Sequence, residues 1–205
     1  MATASKAALR ARLLADRGRV ADAVRAAEAR MLSEHLEALL SSGVSSGSTV
    51  CAYVPVGTEP GSIDMLDMLL RRQARVLLPV ARTGGDGAAL PLRWGEYRPG
   101  ALTRAPWGLL APTGPVLPES TRAEATGVMV PALAVDRRGV RLGRGRGFYD
   151  RSLDGRDPHA RLVAMVRDVE FVDKLPAEPH DVPMTDVITP RRGLITVFPG
   201  GGGGE

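Results

Sequence analysis

The segment Arg75–Ala81 is almost continuously apolar, and this feature restricts the fold more than any other. A strand with one solvated face alternates apolar and polar residues, whereas a nearly unbroken apolar strand is covered on both faces. This segment follows another apolar strand, Thr49–Val56, after a turn at residues 57–61 and a helical segment from Ser62 to about Gln73. A strand, a helix and a second strand in this order predict an α/β sheet with parallel strands.

The rest of the chain continues this architecture. Residues 5–40 are rich in Ala, Leu, Arg and Glu, and they predict one long helix or two helices interrupted at Gly18. Further strands are predicted at Gly127–Val135, Arg161–Val166, Thr185–Ile188 and Leu194–Val197. We therefore expect a single α/β domain over residues 1–198, with a mixed, largely parallel central sheet flanked by helices. A flexible Gly-rich tail is expected at 199–205.

Composition narrows the choice of partners. The net charge of +4 comes from arginines spread along the chain, and only 4% of residues are aromatic, which disfavours a nucleic-acid surface.

The single cysteine, Cys51, lies in an apolar run and is interpreted as a buried strand residue. No run approaches the roughly 18 apolar residues of a membrane span, and the N-terminus lacks a signal-peptide core. We expect a cytoplasmic protein with a small-molecule substrate and no nucleic-acid, membrane or obligate protein partner.

The strongest local signal is the basic glycine-rich run Arg141-Leu142-Gly143-Arg144-Gly145-Arg146-Gly147, followed by a predicted helix over Phe148–Leu153. Glycines let backbone N–H groups approach a phosphate, and arginines add fork-shaped donors. The alternative is a tight surface loop with solvated arginines. Phe148 replaces the third glycine of a dinucleotide fingerprint, and the Gly-Lys-Ser/Thr of a P-loop is absent. An arginine–glycine RNA-binding segment is normally longer and disordered.

Five other charged residues are candidates for a ligand site. Asp150 directly follows the glycine-rich run and Asp186 lies in a late segment, and magnesium on a nucleotide takes one or two carboxylates. Lys6 and Arg10 are four residues apart at the start of the first helix, where they can clamp phosphates. Glu59, in the turn after the first strand, can anchor a ligand ring. Each residue also has a simpler interpretation as a solvated or capping side chain.

Taken in their order along the chain, these segments resemble the 5-formyltetrahydrofolate cyclo-ligase family, also called methenyltetrahydrofolate synthetase. The glycine-rich block with its Tyr-Asp-Arg tail is highly specific. The resemblance covers nearly the whole chain and rests on Lys6-x-x-Leu9-Arg10, Glu59, the strand 128–136, the run 141–151 and the late segment His180-Asp181-Val182-Pro183-Met184-Thr185-Asp186-Val187-Ile188-Thr189.

The resemblance implies an enzyme that closes 5-formyltetrahydrofolate to 5,10-methenyltetrahydrofolate with ATP and Mg²⁺. It implies release of ADP and phosphate through a phosphorylated formyl (imino-phosphate) intermediate. The residues implied for ATP binding are Lys6, Arg10, Arg141, Gly143, Arg144, Gly145, Arg146, Gly147 and Tyr149. Those implied for the folate are Val54, Glu59, Arg144 and Phe148. Catalysis is assigned in the same way to Arg144, Phe148 and Tyr149, and magnesium binding to Asp150 and Asp186.

Two other functions are compatible with the sequence. A relative of this family can bind a nucleotide or a folate for regulation without turning it over, because fold does not guarantee activity. An RNA-associated protein using the arginine–glycine loop would instead bind RNA with a strong dependence on salt.

Overall fold

The α-helices of the described residues all lie before residue 72. The computed structural model describes residues 5–43, 47–178 and 181–197, and the predicted tail at 199–205 is outside them. Helix α1 spans Lys6–Gly18, α2 spans Asp22–Gly43 and α3 spans Asp64–Arg71. The break after Gly18 confirms the predicted pair of helices. None of the helices within the described residues is long and apolar enough to cross a membrane.

The strands are short, and most lie in one sheet. They are β1 Thr49–Cys51, β2 Arg75–Val80, β3 Arg93–Glu96, β4 Leu102–Arg104, β5 Leu110–Pro112, β6 Val116–Leu117, β7 Ala125–Pro131, β8 Ala134–Asp136, β9 Arg141–Leu142, β10 Arg161–Met165, β11 Phe171–Val172, β12 Asp186–Thr189 and β13 Gly193–Thr196.

The central sheet has the order β13-β12-β10-β7-β1-β2-β3-β6. The strands from β12 to β2 run parallel, while β13, β3 and β6 pair antiparallel at the two sides. This arrangement confirms the predicted mixed, largely parallel sheet. After β1 the chain turns to β2 on one side and reaches β7 on the other, so the topology reverses between β1 and β7. In open α/β sheets, ligands bind beyond the carboxyl ends of the strands at such a reversal.

Both faces of the sheet are covered, as the apolar run of β2 predicts. On one face, Leu32 of α2 and Leu66 of α3 pack on Val76 and Leu78. On the other face, Cys51 and its neighbours pack under Trp94, Phe148 and Leu153 from the loops and edge strands. Cys51 is a free, fully buried thiol, which confirms its interpretation as a strand residue.

Helix α1 packs apart from the central sheet. Its Leu13 contacts Leu133, Leu142 and Leu175 around a small sheet in the order β11-β8-β9. The buried strand predicted over Gly127–Val135 is therefore two strands, since β7 stays in the central sheet and β8 joins the small one. The break between them brings the end of α1 close to the carboxyl end of β7.

The segment Phe148–Leu153 does not begin an α-helix. It forms turns that lead into a 3-10 helix at Leu153–Gly155. The hydroxyl of Ser152 donates to the carbonyl of Phe148 at 2.6 Å, and its oxygen accepts the backbone N–H of Leu92 at 2.9 Å. These contacts hold the segment against the sheet as a compact turn. The glycine-rich loop is thus not followed by an α-helix, so no helix terminus adds positive potential behind it.

Candidate functional site

A cleft opens beyond the carboxyl ends of β1, β2 and β7, where the topology reverses. Residues after these strands line it, including Val54, Pro79 and Ala132, and the basic glycine-rich loop covers it. The cavity volume is about 240 Å³. Pockets that enclose drug-sized ligands run from roughly 300 to 1,000 Å³. A nucleotide or a folate therefore reaches into solvent from this cleft or displaces part of its wall.

Residues 143–147 form the basic wall of the cleft and are called the glycine–arginine loop below. Gly145 and Gly147 have φ of +93° and +75°, which favours glycine. The Nε of Arg10 in α1 donates to the carbonyl of Gly143 at 2.9 Å. A Cβ added at Gly145 would meet the Arg10 guanidinium at 3.3 Å. Arg10 thus supports the loop from behind.

The three arginines of this region already have partners within the protein. Arg141 is nearly buried and donates to Asp150 and, at 3.3 Å, to the carbonyl of Pro131. Burial lowers the pKa of Arg141, although the nearby Asp150 opposes that shift. Arg144 pairs with Glu59, and Arg146 lies over an aromatic ring. The mutual repulsion of these arginines is therefore reduced by protein groups as well as by any bound anion.

Glu59 lies in the same cleft as the arginines. Its Oε1 is 3.0 Å from Nε of Arg144, and its Oε2 accepts the backbone N–H of Val56 at 3.0 Å. The Glu59 side chain is 10% exposed and that of Arg144 is 46% exposed. The turn at residues 57–61 thus brings an acidic group to the anion-binding wall.

An aromatic wall faces the same space, and the sequence interpretation missed half of it. Trp107 and Phe148 have ring centroids 5.3 Å apart, and the Arg146 guanidinium lies 4.8 Å from the Trp107 centroid. Trp107 has φ of +62°, a strained conformation for a bulky residue. One sequence signal existed, because an isolated Trp between Pro106 and Gly108 is unusual in a loop.

Tyr149 brings a polar group into the cleft without a partner. Its hydroxyl oxygen is buried, and no hydrogen bond to it is found among the described residues. Burial raises the pKa of Tyr149 well above its ordinary value of 10.0. The phenol is therefore neutral at physiological pH and can donate a hydrogen bond to a ligand oxygen.

Comparisons with known proteins identify the family of this chain. The sequence profile of the 5-formyltetrahydrofolate cyclo-ligase family matches residues 2–190. The chain belongs to this family. A Mycolicibacterium smegmatis protein named 5-formyltetrahydrofolate cyclo-ligase is 55% identical over 197 residues, covering 96% of this chain and 100% of that protein. An Escherichia coli protein of the same name is 29% identical over 145 residues, covering 70% of this chain and 79% of its own length.

Two solved structures share the fold. The Aquifex aeolicus 5,10-methenyltetrahydrofolate synthetase has a TM-score of 0.73 and 22% identity, and the match covers 98% of this chain and 96% of that one. A 5,10-methenyltetrahydrofolate synthetase from Mycoplasma pneumoniae has a TM-score of 0.70 and 19% identity, covering 90% and 98%. Family membership makes this chain an enzyme of the cyclo-ligase class.

In this cyclo-ligase, Lys6 lies at the start of α1, one helical turn before Arg10. It is not among the residues that line the cleft. Its Nζ lies 3.1 Å from Glu178 and 3.2 Å from Asp181. Burial lowers the pKa of Lys6, but the hydrogen bonds to Glu178 and Asp181 outweigh it, so the pKa is raised overall. Lys6 must leave these acids to contact a phosphate in the cleft.

The structure does not bring Asp186 into the cyclo-ligase cleft with Asp150. Asp186 begins β12, at the amino-terminal end of that strand, and is 1% exposed. Its two oxygens accept from Arg161 at 2.5 and 2.9 Å, from Thr185 at 2.7 Å and from Thr196 at 2.9 Å. Burial raises the pKa of Asp186, but these donors outweigh it, so the pKa lies below 3.8. Asp186 therefore does not line the cleft beside Asp150 in this structure, and a magnesium site shared by the two stays a prediction.

Apart from Lys6, Arg10 and Asp186, the predicted site residues line one cleft. No group of three or more His, Cys, Asp or Glu side chains suited to a metal occurs within residues 5–43, 47–178 and 181–197. Asp150 nevertheless lines the cleft with a 37% exposed side chain. The predicted residues that line this cleft are Val54, Glu59, Arg141, Gly143, Arg144, Gly145, Arg146, Gly147, Phe148, Tyr149 and Asp150.

Proposed function

We propose that this chain catalyses the ATP- and magnesium-dependent closure of 5-formyltetrahydrofolate to 5,10-methenyltetrahydrofolate, with release of ADP and phosphate. One observation carries the proposal: a basic loop suited to phosphates and an acidic residue suited to a ligand ring face a single cleft, through Arg144 and Glu59. The relative at 55% identity, named for this reaction, supports the same substrate. We place the reaction in the cytoplasm as part of this proposal.

The chemistry needs no nucleophile from the protein. The formyl oxygen on N5 attacks the γ-phosphorus, ADP leaves, and the formyl carbon becomes part of an imino-phosphate. N10 then attacks that carbon and loses its proton, and phosphate leaves as the ring closes. The one cysteine of the chain fits this scheme, because Cys51 is fully buried and burial raises the pKa of its thiol to about 12.

The glycine–arginine loop would hold the transferred phosphoryl group. Negative charge spreads over its oxygens in the transition state, and cations that face these oxygens lower the barrier. Arg144 and Arg146 are the exposed cations of this wall, and Gly143, Gly145 and Gly147 leave room for close approach. The neutral hydroxyl of Tyr149 can donate to the formyl oxygen or to a phosphate oxygen.

The opposite side of the cleft would hold the folate. Glu59 can accept two N–H groups of a flat nitrogen heterocycle, which is a bidentate arrangement. Val54 and Phe148 line the apolar part of the same cleft. We add Trp107 to the folate residues, since its ring completes the aromatic wall with Phe148.

Asp150 is the carboxylate that fits magnesium. Magnesium on a nucleotide needs only one or two protein carboxylates, and phosphates and water complete its octahedron. When bound, it neutralises charge on the phosphates. Arg141 holds one oxygen of Asp150 and so orients the carboxylate at the cleft.

An absorbance assay of methenyltetrahydrofolate formation, with and without ATP, tests the proposal. Arg144→Ala should lower kcat about 10²-fold to 10³-fold, because one lost charge-stabilising donor costs roughly that much in enzymes. Arg137→Ala, which removes an exposed arginine paired with Asp173, is the matched control and should leave kcat unchanged. Absence of ATP-dependent product in the unmodified protein would favour a regulatory binder of the same ligands.

A further inference from the structure

The carboxylate of Glu59 is already occupied on both oxygens. Oε1 contacts the guanidinium of Arg144 at 3.0 Å, and Oε2 accepts the N–H of Val56 at 3.0 Å. A ring with two adjacent N–H donors needs both oxygens in one plane. Each oxygen has a second lone pair, so the Val56 N–H can stay on Oε2. However, only 10% of the Glu59 side chain is exposed while Arg144 is paired with it, so a flat ring reaches both oxygens only after the guanidinium has moved.

The two sides of this ion pair differ in freedom to move. The Glu59 side chain is 10% exposed and is held by the backbone of its own turn. Arg144 is 46% exposed and lies between Gly143 and Gly145. Glycine neighbours allow large backbone changes at low cost. Arg144 is therefore the partner that moves when the pair opens.

We propose that the Glu59–Arg144 ion pair is an autoinhibitory latch that the folate opens. In the free enzyme, Glu59 holds Arg144 of the glycine–arginine loop away from phosphate. When the folate ring takes both Glu59 oxygens, Arg144 is released to the triphosphate in the same cleft. The inference rests on the proposed function and adds a coupling between its two substrates.

The coupling has a direction that can be measured. By linkage, a folate that releases Arg144 raises the affinity for ATP, and ATP raises the affinity for the folate by the same factor. When no folate is present, the closed Glu59–Arg144 ion pair keeps Arg144 from the phosphates. The pair thereby limits hydrolysis of ATP without product formation. A catalytic arginine without a latch would show no such dependence on Glu59.

The test is a double-mutant cycle on binding of a non-hydrolysable ATP analogue with Mg²⁺, measured by calorimetry without folate. Glu59→Gln keeps an oxygen for Val56 but turns an amide toward Arg144, so the arginine is released. The affinity for the analogue should rise about two- to fivefold, as expected for loss of a partly exposed ion pair. The same change in an Arg144→Ala background should have no such effect, because no arginine is left to release.

Glu124→Gln is the matched control. It removes an ion pair with Arg75 at 2.7 Å, at the amino-terminal ends of the strands and away from the cleft. This variant should bind the analogue like the unmodified enzyme. Equal affinities of the unmodified enzyme and Glu59→Gln overturn the latch but leave the proposed function intact. If the unmodified enzyme binds no analogue at all, both the proposed function and the latch are wrong.

Discussion

The buried pair Arg17–Glu170 should be the most sensitive charged contact for stability. Arg17, in the last turn of α1, donates to the two Glu170 oxygens at 2.7 and 2.8 Å and to the carbonyl of Ala132 at 2.8 Å. The side chains are 1% and 3% exposed. Ala132 lines the cleft, so this pair ties α1 to the wall of the site.

Glu170→Gln keeps the size of the side chain but leaves the Arg17 charge uncompensated. Breaking a buried pair in this way costs about 3–5 kcal/mol of the free energy of unfolding. In a domain of 150–250 residues, each kcal/mol lowers Tm by roughly 2–4 °C, so the expected decrease is about 6–20 °C. Thermal unfolding followed by circular dichroism measures this directly.

Two comparisons make the result specific. Asp16→Asn removes the exposed partner of Arg19 on the same helix and should change the unfolding free energy by less than about 1 kcal/mol. Replacing both members, as Arg17→Met with Glu170→Leu, should recover much of the loss because no charge is left buried. A Tm decrease of less than about 2 °C for Glu170→Gln would refute the reasoning, since the pair would then contribute no more than a surface contact.

The remaining predictions concern the ligands. Lys6→Ala should weaken binding of the ATP analogue about tenfold with little change in kcat, because a cation on phosphate acts in the ground state too; unchanged affinity would remove Lys6 from the site. Asp150→Asn should raise the magnesium concentration for half-maximal activity about tenfold. Asp186→Asn should leave that magnesium requirement unchanged, and an altered requirement would return Asp186 to the metal site. The same change should remove a contribution to folding stability that Asp186 makes above pH ~4 and loses as pH falls through its lowered pKa.

Local sequence patterns were sufficient for the fold class and for the contiguous part of the site. The apolar run of Arg75–Ala81 predicts a doubly covered strand, and β2 is one. Arg141 and residues 143–150 lie together in the cleft because they are close in the chain, so their order alone places them. Gly18 predicts the break between α1 and α2 for a similarly local reason.

Contacts between distant segments could not be read from the sequence. Whether Asp186 faces a ligand or Arg161 depends on the register of β12 with β10, and that register is set by packing over the whole sheet. In the same way, Lys6 meets Asp181 only because α1 packs on the small sheet. Glu59 and Arg144 meet because the turn after β1 of the central sheet and the loop after β9 of the small sheet reach the same cleft. The sequence by itself thus determined the elements and the chemistry available, and the tertiary structure decided which charges face each other, since electrostatic contacts require proximity within a few ångströms.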